Sequence, residues 1–293
     1  MEWERILEHY SRKDVRHEIA EYCANRWVAL HCEELDKKGK KIILRYDNYR
    51  RPLRIFSEDD VQRLLSENAR YRPRAIYASA HVYRSLRSRE DIVDRENIIT
   101  SSPTLDIDSK DGDWRGVVEK AMQVIKLLEK YGIVNSVFFK WSGRGAHVHI
   151  HQNAFSEEIR RRIDPIDISY SVTKYIASML EPGGGAVVEA IIDIQRVFTV
   201  PLSFHRDVDR VAVCVLPENL SEFSIDWTLP ESFQHLPNAW RRFSLGEGDE
   251  LAEKTFMKIG PYVTGRPRKR KHRPLDEEIL DMMKRLENYP QRN

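Results

Sequence analysis

The chain has 293 residues, of which 41% are hydrophobic, 32% charged and 10% aromatic, and its formal net charge is +2. That composition excludes a disordered chain, and the near balance of charge excludes a generic polycation, so affinity for nucleic acid has to come from local basic patches. No run reaches the ~18 apolar residues that span a bilayer, and the first residues lack the basic-then-apolar order of a secretory signal. Only Cys23, Cys32 and Cys214 are present, with no close CxxC pair. This excludes a disulfide scaffold and a four-cysteine zinc site, and the three read as core thiols of a reducing, cytoplasmic compartment.

Residues 1–24 predict helix, with a second helix from His17 to Cys23. Trp27–Cys32 and Lys41–Tyr46 predict two strands around the polar loop 36–40. Ser57-Glu58-Asp59-Asp60 reads as a helix start, because Val61, Leu64 and Leu65 follow at helical spacing. Ala75–Tyr83 predicts a strand, and Thr104–Asp108 alternates as a half-buried strand does. Asp113–Tyr131 predicts a helix with one apolar face, stopped by Gly132. Strands over Val134–Lys140 and Ala146–His151 flank a glycine-containing turn. Helix follows to Leu180, broken near Pro165 and closed by Pro182-Gly183-Gly184-Gly185. Ala186–Val200 and Arg210–Val215 read as extended, and residues 217–247 show little periodicity. Strands alternating with helices make the fold class α+β or α/β. Residues 1–262 read as one core. Residues 263–293 read as a basic linker, with six Lys/Arg in the eight residues 266–273, and then a short amphipathic C-terminal helix from Leu275 to Asn288.

Three constellations carry chemistry. In Thr104-Leu105-Asp106-Ile107-Asp108 the two aspartates share one face of a strand, with Cα atoms roughly 6.6 Å apart at twice the strand rise. Two carboxylates side by side repel unless a cation joins them, and hard oxygen donors favour Mg2+ or Mn2+. In Lys140-Trp141-Ser142-Gly143-Arg144-Gly145-Ala146-His147-Val148-His149-Ile150-His151 the glycines let the backbone approach a ligand closely. Ser142, Arg144 and nearby N–H groups suit phosphate. The three histidines alternate onto one face, the wet side of a hairpin if the segment is merely structural. In the third, Asp193 follows an apolar run and Arg196, Ser203 and His205 come after it.

DxD, then SGRGxHxH, then an apolar-Asp-x-x-Arg segment with PxSxH behind it, resembles the catalytic small subunit of archaeal and eukaryotic DNA primases. Leu44-Arg45-Tyr46 and Tyr77-Ala78-Ser79 resemble that family's arginine-aromatic and Tyr-x-Ser strands, so the likeness runs over residues 15–216. It implies a primase-type α+β core of mixed β-sheets flanked by helices. It implies catalytic, metal-binding carboxylates at Asp106, Asp108 and Asp193, holding two Mg2+ or Mn2+ ions. It implies nucleotide-binding roles for Ser142, Arg144, His147, Arg196, Ser203 and His205, with Arg45 on the nucleotide or template path. The implied activity is synthesis of short RNA or DNA primers on a single-stranded DNA template from NTPs or dNTPs, with a primase large subunit as partner, in the cytoplasm and associated with the nucleoid. Residues 109–141 contain neither Cys nor His, so the zinc knuckle of many relatives is not expected.

The alternative on the same core is a repair-type primase-polymerase or gap-filling polymerase. A different chemistry takes His147 and His149 as a single-strand endonuclease metal site with Tyr170 or Tyr175 as nucleophile. A third reading is a non-catalytic accessory subunit of primase.

Overall fold

The computed structural model describes residues 2–109, 112–181 and 185–263. The basic linker and C-terminal helix expected after residue 263 lie outside the described residues. Eleven strands are present among the described ones: β1 (Val28–Leu35), β2 (Lys41–Leu44), β3 (Pro73–Ser79), β4 (His81–Tyr83), β5 (Ile98–Ser101), β6 (Thr104–Ser109), β7 (Val137–Trp141), β8 (Ala146–Ile150), β9 (Ala186–Glu189), β10 (Val197–Thr199) and β11 (Val213–Val215). They form a four-stranded sheet in the order β10-β3-β1-β2, a five-stranded sheet in the order β11-β7-β8-β6-β9, and the ribbon β4-β5. Every pairing is antiparallel. The α+β expectation holds.

Local chemistry sets the element ends. Arg12 is extended (φ −63°, ψ 133°) and divides the N-terminal segment into helices Trp3–Ser11 and Lys13–Tyr22, so the second begins four residues earlier than its apolar spacing suggests. Asp60 Oδ2 accepts from the Phe56 and Ser57 amides at 2.8 and 3.0 Å, fastening the start of helix Glu58–Glu67. Asp113 accepts from the Arg115 and Gly116 amides and starts helix Trp114–Lys130. Pro165 opens helix Pro165–Ser178 at a position where its missing N–H costs nothing.

Helix Trp114–Lys130 packs on β6 and β8. Its Val117, Ala121, Val124 and Leu128 join Leu105, Ile107, Val148 and Ile150 in one core, all fully buried. Each large side chain among them contributes about 1.5–3 kcal/mol. The opposite face of the five-stranded sheet carries the polar residues.

Two expected strands prove to be split. The predicted strand Ala75–Tyr83 turns a corner at Ala80, whose N–H donates to Arg196 O and whose carbonyl accepts from Ser102 N. The predicted extended run Ala186–Val200 becomes β9 in the five-stranded sheet and β10 in the four-stranded one. Between them the chain crosses from one sheet to the other through a turn at Asp193–Arg196.

Burial lowers the pKa of His9, His31, His81, His151 and His205 to about 4. Their folded values lie below the ordinary 6.5, so the native state binds fewer protons than the unfolded chain between those limits. The stability they contribute is complete above pH 6.5 and is lost as pH falls toward 4. At pH 5, unfolding takes up roughly four protons through these groups. Calorimetry between pH 7 and pH 5 should show a melting temperature that falls steadily, and a flat profile contradicts this linkage.

Candidate active site

The antiparallel register of the five-stranded sheet aligns one side chain from each strand. Glu189 on β9 stands opposite Asp106 on β6, Asp106 opposite His147 on β8, His147 opposite Lys140 on β7, and Lys140 opposite Cys214 on β11. Residues directly opposite share a face. The row therefore grades from carboxylates through imidazole and ammonium to a buried thiol. Asp108 lies two residues along β6 on the same face. Carboxylate oxygens of Asp106, Asp108 and Glu189 fall within 4.8 Å of one another, the acidic cluster with metal-ligand spacing among the described residues.

The two aspartates have opposite electrostatics. Burial alone would raise the Asp106 carboxyl, but His147, Arg196 and Lys140 overcome it and hold the group below the usual range. His147 Nε2 lies 3.3 Å from its Oδ1, and Arg196 donates to its Oδ2 at 2.9 Å. Asp108 is pushed up, first by desolvation and then by the negative charges of Asp106 and Glu189. Its side chain and that of Glu189 are exposed, whereas Asp106 is half-buried. Arg206 and Arg196 oppose the upward push on Asp108 without overcoming it, so the inner acid is anchored while the outer acids repel. Three hard carboxylates in that state fit a divalent cation of the Mg2+ or Mn2+ class.

The second constellation folds against the first. Ser142 donates to Gly145 O through both its amide (2.8 Å) and its hydroxyl (3.0 Å), closing the β7–β8 hairpin. Gly143 has φ +129° and lies flush on the His205 ring. A Cβ on Gly145 would stand 2.5 Å from Ile107 O and 2.9 Å from Asp108 Oδ1. The glycines thus press the turn onto the acidic strand on one side and His205 on the other. Arg144 is exposed at the tip. The His205 Nδ1 accepts from the Asp207 and Val208 amides at 3.1 and 3.2 Å, which leaves its hydrogen on Nε2. Burial, with Arg206 and Arg144 adding to it and Asp207 opposing, keeps the ring neutral.

The histidine strand differs from expectation in its surroundings. The three rings do share a face, but that face is packed. His147 is buried, desolvation drawing its pKa down against the pull of the Asp106 carboxylate, and it lies 4.8 Å from the Phe198 ring. His149 bonds Thr104 Oγ1 through Nδ1 at 2.8 Å and stacks on Phe138 at 4.6 Å. His151 accepts from the Asn153 amide and stacks on Phe243.

The remaining expected residues, Asp193, Arg196, Ser203 and Arg45, each have partners of their own. Asp193 Oδ1 accepts from the Gln195 amide at 2.8 Å, and its carbonyl accepts from Arg196 N and from His81 Nε2. It closes the turn that delivers Arg196 to Asp106, and Glu189 is the third acid whose carboxylate comes within 4.8 Å of the Asp106–Asp108 pair. Arg196, expected at a phosphate, is bound to Asp106. Ser203 is fully buried: its Oγ accepts from Ile76 N at 2.7 Å, meets Tyr10 OH at 3.1 Å and donates to Phe204 O, tying β3 to the following segment. Arg45 lies over the Trp27 ring at 5.8 Å, in the four-stranded half.

Two residues escape the sequence reading. Glu189 ends a short apolar strand after the glycine run, and only the β6–β9 register brings it to Asp106. Lys140 opens the glycine motif without an obvious role. It is fully buried 3.5 Å from Tyr22 OH, and burial draws its pKa down to about 7.

No family model matches the chain, and no curated protein does. Among solved structures, the polymerase domain of Ligase D from Mycobacterium tuberculosis, in complex with DNA, superposes with a TM-score of 0.51 at 14% identity, over 88% of this chain and 90% of that one. The chain therefore has the α+β fold of that polymerase domain. Among the described residues, no helix is long and apolar enough to cross a membrane.

Proposed function

We propose that the chain catalyses template-directed nucleotidyl transfer to DNA as a repair-type primase-polymerase or gap-filling polymerase. The observation that carries this reading is the convergence of Asp106, Asp108 and Glu189 with the Ser142–Gly145 turn and His205, in a fold shared with a DNA-bound polymerase domain. The primer 3′-oxygen attacks the α-phosphorus in line, the bond from that phosphorus to the bridging oxygen breaks, pyrophosphate leaves, and the hydroxyl proton passes to solvent. The three carboxylates would hold Mg2+ or Mn2+, which neutralises triphosphate charge and makes the hydroxyl more acidic. Arg144 and the Nε2–H of His205 donate to triphosphate oxygens from the rim. His147 and Arg196 keep Asp106 ionised and aimed. The work is positioning and charge stabilisation, so no covalent nucleophile is called for.

The resemblance of the motifs to primase small subunits supports a second reading, primer synthesis from nothing with a large subunit. The Ligase D likeness favours the first. The endonuclease reading is the weaker one, because His149 is buried and stacked on Phe138, Tyr175 pairs with Tyr131, Tyr170 packs on Tyr262, and the acidic cluster is left without a role. The test is incorporation of labelled ribo- and deoxyribonucleotides, with either metal, on gapped duplex and on unprimed single strands. Extension on the gapped substrate is the expected result. Products made from nothing on the unprimed strand would return the replicative reading, and absence of incorporation on both substrates would end the proposal.

A further inference from the structure

An open groove of about 680 Å³ lies in the four-stranded half, between the segment Leu44–Phe56 and helix Glu58–Glu67. None of its lining residues belongs to the acidic cluster or to the Ser142–Gly145 turn. Its wall alternates arginine with aromatic rings. Arg51 lies over Tyr49 at 5.0 Å, Arg54 over Phe56 at 4.8 Å and Arg70 over Tyr71 at 4.5 Å. Tyr49 is 81% exposed and Phe56 60%, far more than large rings show when they serve packing. Arg54 and Phe56 also line a smaller pocket of about 180 Å³ with Arg84 and Arg87, so the concave surface continues past them. Arg89 lies nearby, 4.3 Å over Tyr46, which itself lines the groove.

The charges of this surface are largely uncommitted. Arg51 and Arg63 have carboxylate partners in Asp47, Asp60 and Glu67. Among the described residues, no ion pair engages Arg54, Arg70, Arg84, Arg87 or Arg89. Exposed rings, each covered by a guanidinium, are the parts of a single-strand binding surface. A base can replace the guanidinium on the ring while the arginine turns to the neighbouring phosphate. An acidic peptide would use the charges but leave the ring faces idle.

We propose that this groove is a second nucleic-acid site, binding single-stranded DNA or RNA by sequence-tolerant stacking and phosphate contacts. The inference does not rest on the reading of the acidic centre, since it needs neither metal nor nucleotide.

The test is fluorescence anisotropy of a labelled dT20 oligonucleotide with the full chain in EDTA. The basic run at 266–273 also attracts phosphate, so the decisive variants remove rings and keep charge. Tyr49→Ala with Phe56→Ala should weaken binding about tenfold or more, given the usual stacking contribution per base. Both rings are exposed, so the fold survives. Arg54→Ala with Arg70→Ala should flatten the salt dependence of binding, lowering the slope by about one for each arginine that had neutralised a phosphate. Ultraviolet crosslinking of a bromodeoxyuridine-substituted strand should map to Tyr49 or Phe56. Unchanged affinity in the ring variant, equal affinity for a poly-glutamate peptide, or crosslinks confined to the tail would each overturn the proposal.

Discussion

Asp106→Asn and Asp108→Asn should each lower nucleotide incorporation by about a thousandfold, the scale lost when a preorganised charge at a reacting centre is removed. Neither change alters side-chain volume much, and Asp106→Asn leaves an oxygen for Arg196, so the fold persists and the loss reads as chemistry. Circular dichroism and melting temperature check the fold, and single-turnover incorporation with Mn2+ checks the rate. The third acid separates two assignments. The structure puts Glu189 with the pair, whereas the resemblance of the motifs implies Asp193. Glu189→Gln should weaken Mn2+ binding, measured by electron paramagnetic resonance, more than Asp193→Asn does. An asparagine at 193 still accepts from the Gln195 amide and keeps the turn. A loss at Asp193→Asn matching that at Asp106→Asn would return the third ligand's place to Asp193. Retention of full activity in Asp106→Asn would remove the metal role altogether.

Gly145→Ala should cost about 1–3 kcal/mol of stability, the range for overpacking a filled site, and cut incorporation by about a hundredfold. The atom that a methyl would meet, Ile107 O, is backbone in the middle of the five-stranded sheet and cannot rotate away. The hairpin tip must lift, and Ser142, Arg144 and the Asp108 carboxylate shift together. The displaced parts sit at the proposed reacting centre, so the activity loss should exceed the stability loss. Gly185→Ala is the control. Nothing lies within 4 Å of its would-be Cβ, so that change should leave both quantities near their starting values. A Gly145→Ala protein melting and working like the parent would mean that the turn does not press on Asp108 as described.

Much of the scaffold is legible in the sequence because its signals are local. The start of the helix at Asp113, the break at Pro165 and the alternation in Thr104–Asp108 all depend on neighbours along the chain. The DxD pair is legible for the same reason, since two residues on one strand share a face in any context. What stays hidden depends on pairing. Glu189 looks like a solvated strand end until β9 is placed beside β6 in a register that sets it opposite Asp106. His147, His149 and His151 show the correct periodicity, but one strand cannot reveal that Phe198 and Phe138 will cover its polar face. Ser203 and Asp193 carry residue types suited to a site, yet their side chains are engaged by backbone amides from 127 positions away in one case and two in the other.

The segment that leaves β9 and enters β10 spans only the seven residues 190–196, and its last member grips Asp106. Because β9 and β10 belong to different sheets, this strap works as a lever. A displacement of one layer against the other would therefore reach the inner carboxylate through Arg196, and the clamp on that group would tighten or slacken with it.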